Sequence, residues 1–384
     1  MKFTRKLAAG LMAVSLFASA GMVAAKEVSV GVVVSTTGSG AVLGIPYRNV
    51  FEILPKEIAG KPAKYIVLDD ASDVTTGVRN AKKLIEENKV DVLVGSNSVP
   101  ITRALMQTAV EYKVPLLALG PVELNGQEHP WSFGVPQPMP LMISAVLEHM
   151  KQNGVKRLGF IGFADAWGDA VYKALQTQTV IPDLEITNDE RYQRNDVSLT
   201  TQALKVMANK PDAVMVGASG APGALPHIAL NERGYKRTVY NGHGSVSGDF
   251  IRIGGAHAEG TVAPTGPFLF AEQLPDSNPV KPVATKYLAM YDEAYGVSAR
   301  SPFAGYAFDA YLLLQAAVPS ALKTATPGTP EFRQALRDAL ENDVKGVVGT
   351  HGVYTMTPED HNGLDHWARV LVEVKDGKWV LMDN

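Results

Sequence analysis

The chain of 384 residues is longer than one ordinary core uses and fits two α/β lobes behind a leader. Its 46% hydrophobic and 20% charged residues exclude disordered and membrane-embedded character as overall descriptions. A formal charge of -3 without basic clusters gives no basis for nucleic-acid binding, and the absence of cysteine excludes disulfides, thiol catalysis, iron–sulfur sites and an acylated cysteine.

Lys2, Arg5 and Lys6 precede an uncharged apolar stretch, residues 7–25, that ends Val23-Ala24-Ala25 before Lys26. This is the layout of a signal peptide cleaved after Ala25, with a membrane anchor as the alternative. Residues 28–34 are rich in β-branched valine and predict the first strand. The loop after it, residues 36–44, carries three glycines and three hydroxyl residues, so its backbone can approach a ligand closely. It lacks both the Walker pattern and G-x-G-x-x-G, which argues against phosphate and dinucleotide binding.

Asp73 suits the cap of a helix in which Val78, Ala81, Leu84 and Ile85 share one face, and residues 90–94 return as a buried strand. The segment Gly95-Ser96-Asn97-Ser98-Val99-Pro100 then ends a strand in small polar residues, with a proline suited to the first turn of a helix over 99–112. Free N–H groups and the helix dipole at that turn suit a carboxylate, although ordinary capping by Ser98 accounts for the same residue types. Residues 114–119 form the next strand.

Pro136, Pro138 and Pro140 interrupt regular structure and mark a first crossover. A second βα series follows, with strands at 157–161, 183–192, 212–216 and 238–241 and helices after Trp167, Asp196 and Ala221. Trp167, in Asp165-Ala166-Trp167-Gly168, either presents its indole to a cleft or belongs to the core or surface. Ser219 lies one residue short of a G-x-S-x-G elbow, because position 221 is alanine. His243 is a lone loop histidine, a ligand contact or a solvated side chain. A second junction at 263–267 precedes long helical patterns over 280–295 and 302–317. Near the end, His351, Asp360, His361, Asp365 and His366 are metal-capable, but no H-E-x-x-H occurs and residues 360–363 read equally well as a polar turn. We expect no metal and no cofactor.

The order and spacing of several short motifs resemble the periplasmic binding proteins of the branched-chain amino acid class, the type I receptors of ABC importers. These are Thr36-Thr37-Gly38 with Gly44, Asp91-Val92-Leu93-Val94-Gly95, Val114-Pro115-Leu116-Leu117, Asp196 before a helix, Pro211-Asp212-Ala213-Val214 and Ala258-Glu259-Gly260. The resemblance covers essentially the whole mature chain. It implies an α/β fold of two Rossmann-like lobes with central parallel sheets and three hinge crossovers, the third near 346–351. Lobe 1 would comprise 26–139 and 268–346, and lobe 2 would comprise 140–267 and 347–384.

Carried across by position, the family's ligand loops fall at Leu43, at Ser96, Asn97 and Ser98, at Ala118, Gly120 and Val122, at Trp167, at Ser219 and at His243. Amino-acid-binding members hold the carboxylate with the first lobe and the ammonium with an acid of the second, and His243 stands where that acid would be. The expected ligand is therefore an aromatic or related organic acid without an ammonium group. Should Asp165 or Asp249 supply the missing charge, a branched-chain or other amino acid or an amide fits instead. An exported hydrolase using Ser219, His243 or the C-terminal histidines is the other class, and a sensory receptor a third. The resemblance further implies a periplasmic monomer that is not an enzyme and whose partners are an ABC permease and its ATPase subunits.

Overall fold

The computed structural model describes residues 26–382; the expected leader and its cleavage point lie outside them. The first strand, β1 (Val28–Val34), is buried along its whole length, as a strand covered by helices on both faces must be. The helix α1 (Ala41–Ile53) follows and takes in Gly44, which the sequence placed in a loop. A Cβ at Gly44 would stand 1.9 Å from the Ser35 carbonyl oxygen, so only glycine lets α1 seat on the end of β1. Next come β2 (Glu57–Ile58), β3 (Lys61–Asp69) and α2 (Val74–Glu86), the last capped by the Asp73 carboxylate, which accepts from the Thr76 N–H. β4 (Val92–Gly95), α3 (Val99–Tyr112), β5 (Leu116–Ala118) and β6 (Ser132–Gly134) complete a sheet of order β2-β3-β1-β4-β5-β6. All pairings are parallel except β2 with β3.

The chain crosses through its proline-rich segment to α4 (Met139–Gln152) and a second sheet. This lobe holds β7 (Arg157–Phe163), α5 (Ala166–Gln176), β8 (Glu185–Ile186), β9 (Glu190–Tyr192), α6 (Thr200–Ala208), β10 (Ala213–Gly217), α7 (Leu225–Asn231), β11 (Val239–Asn241), α8 (Gly248–Gly254) and β12 (Val262–Thr265). The single strand expected over 183–192 is two short ones, both paired to β7. The main order is β8-β7-β10-β11-β12, parallel throughout. Both sheets reverse their winding, the first at β1 and β4, the second at β7 and β10. Ligands of open α/β sheets lie beyond the carboxyl ends of strands at such reversals.

The chain then returns to the first lobe as α9 (Lys281–Tyr295), α10 (Pro302–Thr324) and α11 (Pro330–Asn342), whose Phe303, Tyr306, Phe308 and Phe332 share one core with Val28, Val30 and Val32. The antiparallel pair β13 (Lys345–Val348) and β14 (Val353–Thr355) stays with that lobe. Tyr354 is buried in its core and donates to the Val135 carbonyl at 2.7 Å. His361 stacks on Phe133 at 4.2 Å. The third crossover is therefore later than the expected 346–351, because these buried rings hold the segment to the first sheet. Only β15 (Val370–Lys375) and β16 (Lys378–Leu381) join the second sheet, β15 running antiparallel to β12.

The three crossovers meet behind α10. Gln137, from the first, accepts from the Tyr306 hydroxyl at 2.7 Å and donates to the Ala368 carbonyl of the third. Gly266, from the second, lies against the His351 ring, which stacks on Tyr306 at 4.0 Å and holds Asp309 through Nδ1 at 3.1 Å. The hinge is thus a buried polar cluster rather than three free linkers.

Candidate ligand-binding site

Two narrow adjoining cavities lie between the lobes, and they differ in chemistry. One is aromatic and apolar, walled by Leu43, Tyr47, Leu119, Pro121, Pro136, Phe303 and Tyr306 from the first lobe and its crossover, and by Trp167, His243 and Gly244 from the second. The other is polar, walled by Ser39, Gly40, Ser72, Ser98 and the start of α3 opposite Arg194 and Ser219. Leu43, Asn97 and Trp167 belong to both. The lobes are closed together, since Trp167 and His243 are each only 4% exposed.

Ser98 precedes α3 in an extended conformation, yet its side chain makes no capping hydrogen bond. Capping therefore does not account for it, and its hydroxyl faces the polar cavity together with the helix start. The first-turn N–H groups of α3 have no intrahelical acceptor. Asn97 fixes the wall beside them, accepting from the Ser35 N–H at 2.8 Å and donating to the Gly40 carbonyl at 3.3 Å. Ser96 is fully buried and its hydroxyl donates to Asp70 at 2.6 Å, so it supports the loop from beneath and does not face the cavity.

The expected contacts Ala118, Gly120 and Val122 are also turned away. Extended chain alternates its sides, and it is Leu119 and Pro121 that reach the aromatic cavity. Gly120 packs on Thr102, and Val122 gives its carbonyl to Asn362 at 2.9 Å while facing an outer groove of about 980 Å³ on the flank of the molecule. Leu43, Asn97, Ser98, Trp167, Ser219 and His243 all line one or both of the two cavities.

Arg194 was missed by the sequence reading. It follows β9, and its Nε donates to Asp165 Oδ2 at 2.7 Å while its Nη1 reaches Ser219 Oγ at 3.4 Å. Its position two residues before Asp196 was the available signal. Tyr47 was also missed, although it falls one helical turn beyond Leu43 on the same face of α1.

Among the described residues that line the two cavities there is no aspartate or glutamate. Asp165 caps α5, accepting from the Trp167 and Gly168 N–H groups, and is engaged by Arg194. Asp249 pairs with Arg252 on α8. Neither is a free counter-charge for an ammonium group. His243 sets its ring 5.2 Å from that of Trp167 at a tilt of 60°, and burial, with a smaller effect of His351, pushes its pKa down to about 3. It is neutral near pH 7. Burial and the charge of Asp309 push the Tyr306 hydroxyl well up, so it remains a neutral donor. Two buried cleft atoms, Trp167 Nε1 and His243 Nδ1, have no protein partner.

The metal-capable residues near the C-terminus are dispersed. His351 belongs to the hinge and His361 bonds Ser132 and Glu341. Asp360 accepts from the Asn362 and Gly363 N–H groups, Asp365 caps Trp367, and His366 lies against Trp367.

The sequence pattern of the family described as periplasmic binding protein matches residues 27–378. The Leu/Ile/Val-binding protein homolog 3 of Brucella melitensis biotype 1 is 24% identical over 258 residues, covering 64% of this chain and 68% of that one. An extracellular ligand-binding receptor from Rhodopseudomonas palustris HaA2 is 44% identical, with a TM-score of 0.90 over 93% of this chain and 100% of its own. A solute-binding protein from R. palustris in complex with benzoate shares the fold at 19% identity, with a TM-score of 0.74 over 93% of this chain and 96% of its own. The match over nearly the whole chain, the double-lobed sheets and the interlobe cleft together place the molecule: the chain belongs to the periplasmic binding protein family, with the type I fold.

Proposed function

We propose that the protein is the receptor of an ABC importer and that it captures an aromatic or related organic acid, unchanged, between its lobes. The observation that carries this reading is the division of the cleft. An aromatic chamber built on Trp167, Tyr47, Phe303 and Tyr306 adjoins a polar chamber in which Arg194, Ser98 and the start of α3 converge. The lining of the first is complementary to a ring and that of the second to a carboxylate, which enter when the lobes part. An α-amino acid would bury an ammonium group among neutral donors and a cation, at a cost of several kcal/mol. Trp167 and His243 retain buried nitrogens for a further polar group on the ligand.

The benzoate-bound relative supports the reading only in that this fold is able to take such an acid. Against hydrolysis, Ser219 meets Arg194, and among the described residues no histidine hydrogen-bonds it, so no base stands ready to activate the hydroxyl. Transport would follow from hinge closure, because ligand contacts made with both lobes at once favour the closed form that a permease recognises. Export to the periplasm and action as a monomer are part of the same proposal. Mass spectrometry of the small molecule released by denaturing freshly purified protein tests it: an intact carboxylic acid without an amine is expected, and an amino acid or a cleaved product overturns it.

A further inference from the structure

The first-lobe loops that wall the polar cavity converge on one carboxylate that touches neither cavity. Asp70, at the end of β3, is fully buried. Its Oδ1 accepts from the Ser35 hydroxyl at 2.6 Å and the Ser72 N–H at 2.9 Å, and its Oδ2 accepts from the Ser96 hydroxyl at 2.6 Å. Those three residues begin the loops after β1, β3 and β4.

From each of them a second bond reaches the cavity wall. The Ser72 hydroxyl accepts from the Gly40 N–H at 3.0 Å and donates to the Thr37 carbonyl at 2.9 Å. The Ser35 N–H donates to Asn97, and Asn97 in turn holds Gly40. The Ser96 carbonyl accepts from Thr102, one turn into α3, at 2.7 Å. We propose that Asp70 is the positioning residue of the anion seat: it takes up the Ser35 and Ser96 hydroxyls, locks three loops to one point, and so leaves Ser39, Ser98 and the α3 N–H groups aimed at the ligand. A carboxylate does this because it offers acceptors only, and every group around it is a donor. An asparagine of the same shape keeps its oxygen for the Ser35 hydroxyl and the Ser72 N–H only by turning its NH₂ toward the Ser96 hydroxyl, which must then accept, and the remaining bonds lose their charged acceptor.

This role rests on the anion seat proposed above. Its test is Asp70→Asn, read by calorimetric titration with benzoate and 3-phenylpropionate, by backbone hydrogen exchange and by urea unfolding. The expected result is affinity at least tenfold weaker, with faster exchange confined to residues 36–40 and 96–99, while β1 and β4 stay protected. Affinity within twofold of the wild type overturns the role, as does a loss that tracks reduced protection throughout the lobe, which would make Asp70 a stabiliser alone. If Asp70→Asn does not fold, Ser35→Ala and Ser96→Ala each remove one of the same bonds and are read in the same way. Should the wild-type protein take leucine instead, the ligand class proposed above falls, and the Asp70 comparison is made with leucine, whose carboxylate requires the same seat.

Discussion

Arg194 holds Asp165 through its Nε at 2.7 Å and turns Nη1 toward Ser219 Oγ at 3.4 Å, so one guanidinium spans from the cap of α5 to the polar cavity. The pairing explains how a cation sits only 26% exposed at its side chain in a closed cleft without a ligand carboxylate being its sole counter-charge. Asp165 orients the planar fork, and on the proposed reading the remaining N–H groups are the donors for an incoming acid.

Replacing Arg194 by Gln removes a charge-assisted hydrogen bond to the ligand, which is worth about 1.5–3 kcal/mol. Titration calorimetry should show affinity for aromatic acids reduced roughly tenfold to a hundredfold. Urea unfolding should change little, because the Arg194–Asp165 pair is partly solvated and such pairs contribute about 0–1 kcal/mol. An unchanged affinity would remove Arg194 from the site.

Trp167→Phe keeps a ring in the aromatic chamber and removes the unpartnered indole N–H. If that N–H reaches the ligand, affinity falls by about 0.5–1.5 kcal/mol. The ligand-induced change in tryptophan fluorescence disappears with it. A full fluorescence response in the variant would place the reporting indole elsewhere, at Trp131, Trp367 or Trp379.

The hinge leaves no room for side chains at two glycines. A Cβ on Gly266 would stand 1.9 Å from His351 Cδ2, and one on Gly305 2.2 Å from His351 Cε1. Gly266→Ala or Gly305→Ala must push the imidazole off Tyr306 and away from Asp309. Each is expected to cost about 1–3 kcal/mol by overpacking, measured as a lowered urea midpoint. Because Tyr306 also lines the aromatic cavity, ligand affinity should fall in both variants.

Acid should destabilise the protein through its buried imidazoles. Burial pushes His227 and His243 to about 3 in the folded chain, against about 6.5 when unfolded. Between those values the unfolded state binds more protons, so stability present above pH 6.5 is lost as pH falls toward 3. The slope approaches about 1.4 kcal/mol per pH unit for each group. Asp70 and Asp91, whose carboxyl pKa values burial raises, act in the opposite sense and offset part of it. Urea titrations from pH 7 to 4 should therefore show a shallower decline in His243→Gln than in the wild type.

Where one physical signal dominated, the sequence was readable. β1 carries five valines in seven residues and is buried on both faces, and α3 starts at Val99 before Pro100 and stops at Lys113, which takes the left-handed conformation. β3 was overlooked because Lys61, Pro62 and Lys64 dilute its apolar run, although it carries Asp69 and Asp70 into the site. The third crossover was misplaced because nothing local shows that Tyr354 and His361 are buried against Val135 and Phe133, more than 200 positions earlier in the chain. At the cleft, which side chain of a loop faces inward depends on register, and residue types alone do not show it. Ala118, Gly120 and Val122 fell on the wrong side of an extended segment whose next positions, Leu119 and Pro121, face the ligand cavity. Arg194 escaped notice because its role is created by a neighbour 29 positions away.

On the proposed reading, the cleft accepts an anion attached to a ring and rejects an ammonium group. Parallel calorimetric titrations of ligand-free protein with benzoate-type acids and with leucine test it most directly. The expected result is one-to-one binding of an acid with no heat from leucine. Tight binding of leucine, with silence from the acids, would contradict it.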